Sequence, residues 1–112
     1  MPIATYNRTI TQVAITQGAA GQLDLVAAAP GLKIYVVSFV VTMSAAGTIT
    51  FNEGTGPTAL SGAMDVAASG GFVVTGNGND GVILQTNTAN SKLGLVSTTG
   101  IAKGWLRYFL DT

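Results

Sequence analysis

The stretch Leu32-Lys33-Ile34-Tyr35-Val36-Val37-Ser38-Phe39-Val40-Val41-Thr42-Met43 decides the fold. It is rich in β-branched and aromatic residues and carries a single charge, Lys33, which is the composition of a strand rather than a helix. Ile34 and Val36 alternate with Tyr35 and Val37, and beyond Ser38 both alternating sets stay apolar through Phe39, Val40, Val41 and Met43. The reading is a central strand covered on both faces. One cover comes from its own domain. No segment is patterned as a helix long enough to supply the other, so the second cover is expected from a neighbouring subunit.

The chain on either side repeats the strand pattern in shorter pieces. Residues 9–16 alternate with a phase mismatch between Ile10 and the pair Val13 and Ile15, which a bulge or a kink near Thr11-Gln12 would absorb. Leu23 and Leu25 share a face with Asp24 turned to water, and Pro30-Gly31 closes that segment. Ser44-Ala45-Ala46-Gly47 is short enough to turn the chain back, so residues 48–52 are expected to return antiparallel with Ile49 and Phe51 inward. Leu60, Gly62, Met64 and Val66 continue in period two, then apolar runs at 72–74, 81–85 and 93–95 lie between turns rich in Gly, Asn, Ser and Thr. In the last segment Leu106, Tyr108 and Leu110 alternate against Trp105, Arg107 and Phe109. Eight or nine short strands with frequent turn signals predict an all-β, single-domain antiparallel β-sandwich over 9–112, jelly-roll-like, preceded by an extended arm over 1–8. An immunoglobulin-like sandwich is the alternative, but the Cys-Trp-Cys framework is missing and the single Trp lies late in the chain.

Composition narrows the function. The 112 residues contain no Cys and no His, which removes thiol nucleophiles, disulfides, zinc sites and the usual general base. Five basic and five acidic residues cancel, so a basic patch for nucleic acid or an anionic membrane is not expected. Only 9% of residues are charged, against about 25% in an ordinary soluble domain. A surface of hydroxyls, amides and small residues costs less to desolvate than a charged one, which favours assembly. The apolar run at 32–43 is too short for a membrane helix, which needs roughly 20 residues. The N-terminal residues show no basic start followed by an apolar run, so the mature chain is expected to begin at or near Met1.

No arrangement of side chains reads as an active site. The carboxylates Asp24, Glu53, Asp65, Asp80 and Asp111 lie in different segments, and no pair is marked out for acid–base work. Gly76-Asn77-Gly78-Asn79-Asp80-Gly81 matches G-x-G-x-x-G in letters, but Val82-Ile83-Leu84 after it reads as strand rather than the helix a dinucleotide site requires. The same loop has too few oxygens for calcium and reads as a turn. Asn7-Arg8-Thr9 has the form of a glycosylation sequon, without a secretory signal to bring it to that machinery. Trp105, Arg107, Tyr108 and Phe109 could form a sugar-stacking platform, although strand alternation divides such rings between core and subunit contact. The chain reads as a non-enzyme with no cofactor and no metal.

Three stretches carry a resemblance: residues 31–38, residues 47–54 together with Leu60-Ser61-Gly62-Ala63-Met64, and the ending Gly104-Trp105-Leu106-Arg107-Tyr108. In apolar spacing and glycine placement the chain resembles the small jelly-roll head decoration, or cement, proteins of tailed bacteriophages. That resemblance implies a virion structural protein on the capsid surface, made in the host cytoplasm, a homotrimer that clamps and stabilises the major capsid protein shell. The alternative it leaves is a receptor- or glycan-binding domain of a phage tail tip or fibre. Nucleic acid and membrane are not expected partners. The candidate interface residues are Ile3, Tyr6, Tyr35, Phe39, Trp105 and Phe109. Attachment is expected to be apolar and multivalent, with the arm ordering on contact.

Overall fold

The computed structural model describes residues 9–76 and 81–112. They form ten strand segments: β1 Thr11–Thr16, β2 Gly21–Val26, β3 Lys33–Met43, β4 Gly47–Glu53, β5 Thr58–Ala59, β6 Met64–Val66, β7 Gly71–Thr75, β8 Leu84–Gln85, β9 Leu93–Ser97 and β10 Ala102–Asp111. All pairings are antiparallel. A front sheet runs β1-β10-β3-β7, with β8 also on β3, and a back sheet runs β2-β9-β4-β5, with β6 also on β4. Because β7 and β8 share one edge of β3, and β5 and β6 one edge of β4, the ten segments make eight strand rows. The nested pairs β1·β10, β2·β9, β3·β7/β8 and β4·β5/β6 wrap as one long double ribbon. This is the jelly roll that the sequence pattern predicts.

The central strand keeps its place but changes phase. On β3, Ile34 and Val36 are buried, and so are Phe39, Val41 and Met43, two sets of opposite parity. A register shift reconciles them: Tyr108 faces Val36 while Arg107 faces Ser38, so Val37 is the extra residue of a β-bulge. The bulge turns both apolar sets toward the same core. The expectation that the two parities serve opposite faces is thereby corrected: the outward set from Ser38 onward is Ser38, Val40 and Thr42, and within the chain Val40 is half-buried and Thr42 exposed. No such shift occurs in β1, where Thr11, Val13 and Ile15 face Tyr108, Leu106 and Gly104 in unbroken register. The expected bulge at Thr11-Gln12 is absent because Ile10 precedes the strand and stays exposed.

A second correction concerns the return from β3 to β4. The two strands do not pair; the turn at 44–46 carries the chain from the front sheet to the back one. Hydrophobic burial drives this crossing, because Phe39, Val41 and Met43 on one sheet then face Ile49 and Phe51 on the other. Phe39 meets Phe51 at 4.9 Å and Phe72 at 5.5 Å between ring centroids. The crossing from β1 to β2 is fixed by a polar device instead. Buried Gln17 accepts from Ser97 Oγ and from the Ala102 N–H, both at 2.7 Å, and donates through Nε2 to the Gly21 carbonyl at 2.7 Å.

At Gly104 three strands press close together. It lies in β10 between Ile15 and Val41 at φ 151°, and a Cβ added there would run into the Val40 carbonyl. Gly104→Ala is expected to cost on the order of 3 kcal/mol, combining a disfavoured φ with overpacking against backbone. Urea denaturation with an unchanged slope and a lower midpoint checks this.

Candidate functional site

The two sheets present different outer faces. On the back sheet, residues turned away from the core include Gln22, Asp24, Thr48, Thr50, Asn52 and Asp65, a mostly polar set with half-buried Val96 between Gln22 and Thr50. Gln22 and Asn52 join side chain to side chain through two amide hydrogen bonds of 3.0 and 2.8 Å, and Asp24 takes a 2.9 Å contact from Lys92. Such a surface is at ease in water.

On the front sheet the register lines up a different row. Ala14 faces Trp105, Trp105 faces Val40, and Val40 faces Val73, so one apolar line crosses four strands. Val73 is 66% exposed although both its neighbours pack on the core. The next row is polar: Gln12, Arg107, Ser38 and Thr75. Arg107 ties the two rows together, with its guanidinium 4.8 Å from the Trp105 ring centre and its Nε donating to Gln12 Oε1 at 3.1 Å. Near the far end of β10, Tyr35 and Phe109 stack at 5.1 Å with planes 10° apart, and the Tyr35 hydroxyl donates to the Thr112 carbonyl at 3.0 Å. Lys33, Lys103 and Arg107 lie on this outer face, where Asp111 stands opposite Lys33, whereas Asp24, paired with Lys92, and Asp65 lie on the other.

Of the residues expected at an interface, Tyr35, Trp105 and Phe109 share the front outer face. Phe109 is nonetheless only 3% exposed. Phe39 is a correction: at 5% exposure it belongs to the core, because the bulge at Val37 turns it inward against Phe51 and Phe72. Ile3, Tyr6 and the rest of the expected arm lie outside the described residues, as does most of the Gly-Asn loop at 76–81. Sequence reasoning missed Ala14, Val40 and Val73 as members of one row. Only the cross-strand register brings them together.

The acidic side chains of the described residues stand apart. No group of three or more Asp or Glu side chains converges among them. Buried Glu53 serves structure, accepting the backbone N–H groups of Asn87 at 3.0 Å and Thr88 at 3.1 Å and so holding the turn before β9. Among the described residues no buried side-chain nitrogen or oxygen is left without a partner. A depression of about 500 Å³ opens at one end of the sandwich between Asp24, Ala28, Thr55, Asn90 and Lys92, and no aromatic ring lines it. Comparison with protein-family models, with curated proteins and with solved structures finds no match to this chain. What the chain does has to be argued from the faces themselves.

Proposed function

We propose that this chain is a virion structural protein, a decoration or cement protein that binds a capsid shell as a homotrimer. The observation that carries the reading is the apolar row Ala14–Trp105–Val40–Val73 on the front sheet, set against the polar outer face of the back sheet. Contiguous apolar surface on a small domain marks a contact with another protein. Lys103 and Arg107 flank the apolar row on either side, the anatomy of an interface in which the middle supplies affinity and the edge orientation. In this reading the front faces of neighbouring copies cover one another, and the trimer meets the major capsid protein through several weak contacts that add as avidity. The depression at the end of the sandwich, without an aromatic ring, gives no support to a sugar-binding tip domain.

Co-sedimentation with head shells lacking this chain tests the proposal. Purified protein is expected to pellet with the shells and to stay bound as salt rises to about 1 M, where charge contacts are screened within about 3 Å and apolar contacts persist. Removing residues 1–7 is expected to leave the β domain folded and to reduce binding. Protein that remains in the supernatant, or that moderate salt strips off, would contradict the proposal.

A further inference from the structure

The four outer edges of the two sheets are protected unequally. Exposed strand edges offer unpaired N–H and C=O groups, and proteins blunt them with charge, proline, bulges or brevity. The back sheet uses all but proline within its strands: β2 has a register shift after Asp24, β5 spans two residues, and β6 spans three with Asp65 at its middle. Among the described residues the front sheet uses none within its long edge strands. Strand β1 reads Thr-Gln-Val-Ala-Ile-Thr and β7 reads Gly-Phe-Val-Val-Thr, and both run in unbroken register along their single partners.

Bonds at the strand ends fix the direction of the free backbone groups. The Met43 N–H donates to Gly70 and the Gly76 N–H to Val37, at 2.9 and 2.8 Å, so ladder bonds from this edge fall on even-numbered residues. The N–H and C=O of Gly71, Val73 and Thr75 then face away from β3. On the opposite edge the Gln17 N–H donates to the Ala102 carbonyl at 3.2 Å, which puts the ladder on odd-numbered residues and turns Gln12, Ala14 and Thr16 outward.

We propose that copies of this chain join edge to edge, with β7 of one copy pairing antiparallel to β1 of the next. This inference rests on the proposed assembly and supplies its contact. Within the front sheet β1 already runs antiparallel to β7, through β10 and β3, so a neighbour in the same orientation brings its β1 alongside in the right direction. Val73 falls opposite Ala14 of the neighbour, Gly71 opposite Thr16, and Thr75 opposite Gln12, giving about six backbone hydrogen bonds. Side chains of Val73 and Ala14 both lie on the outer face, so the apolar row continues from one copy into the next. No charge meets a like charge at the junction. In a trimer the rotation between copies closes this head-to-tail contact into a ring with the front faces turned toward its axis, where they cover one another; the ring pairs both edges β1 and β7 of every copy, whereas a two-fold pairing of β7 with itself leaves each β1 bare.

Val73→Pro and Ala14→Pro test the pairing, because each removes an N–H that points away from the internal ladder and leaves the domain's own bonds in place. At a concentration where the native chain is a ring by light scattering, each variant alone is expected to be monomeric. An equimolar mixture is expected to form dimers, since β7 of the Ala14→Pro chain and β1 of the Val73→Pro chain make one intact junction. Amide exchange on the unmodified protein gives an independent reading: Val73 and Ala14 amides should be slowed at least tenfold in the assembly relative to dilute monomer. An assembly that survives in both variants, a mixture that stays monomeric, or unprotected amides in an assembled native chain would overturn the strand pairing alone. A native chain that is monomeric at high micromolar concentration would overturn the assembly reading with it.

Discussion

Val36→Asp is expected to abolish the cooperative thermal transition of the domain. Val36 is fully buried on β3, facing Tyr108 on β10 and Leu84 on β8, immediately before the bulge that lets the strand serve the core with two phases. A carboxylate there has no cation within the core to meet it. It must either ionise without a partner or take up a proton, and either course costs several kcal/mol. Domains of this size have only about 5–15 kcal/mol to lose. Circular dichroism on heating should show a sloping, non-cooperative change in place of a sigmoid. A transition at the native temperature would mean that Val36 does not sit where three strands converge.

Phe51→Ala is expected to be the most damaging neutral truncation, at about 3–5 kcal/mol. Phe51 is 1% exposed and joins the sheets, held from the back sheet against Phe39 of the front one. Its backbone anchors the split edge as well. The Phe51 carbonyl accepts from Leu60 at 2.7 Å and from Ser61 at 3.3 Å, while its N–H donates to Ser61 Oγ at 3.0 Å. The truncation leaves these bonds intact and opens a cavity that flanking strands cannot collapse into without breaking register. Chemical denaturation should give a lower midpoint at unchanged slope, and a loss under about 1 kcal/mol, the range of well-tolerated core swaps, would contradict the placement.

Strand positions were legible from the sequence because each rests on local alternation. Ile49 and Phe51 against Thr48 and Thr50, or Leu106 and Tyr108 against Trp105 and Arg107, declare their faces without help from other strands. What local pattern cannot carry is pairing. The turn at 44–46 looks like a hairpin turn, yet whether it closes a ladder or crosses to the other sheet depends on what Met43 and Ile49 find opposite them, which is decided elsewhere in the chain. The bulge at Val37 is a similar case. An apolar run through Ser38 is compatible with two covered faces or with one face and a phase change, and only the unbroken parity of Leu106 and Tyr108 on β10 selects the second. Gln17 was likewise silent, since its three hydrogen bonds reach Gly21, Ser97 and Ala102.

The candidate surface was legible in part for the same reason. Tyr35, Trp105 and Phe109 announce an outward aromatic face on two strands, but Ala14 and Val73 are ordinary residues whose meaning comes from standing in line with Trp105 and Val40. An apolar row has no signature in one dimension. The largely polar outer face of the back sheet makes the contrast informative, because it shows that this chain can cover a sheet with amides and hydroxyls.

Trp105 is the single tryptophan of the chain and stands in the middle of that row, so its fluorescence reports directly on whether other copies cover the front face. The emission spectrum is recorded from nanomolar to high micromolar protein. A shift to the blue is expected as concentration rises, with a midpoint that coincides with the rise in mass by light scattering. An emission maximum that stays fixed while the mass remains that of one chain would contradict a covered front face.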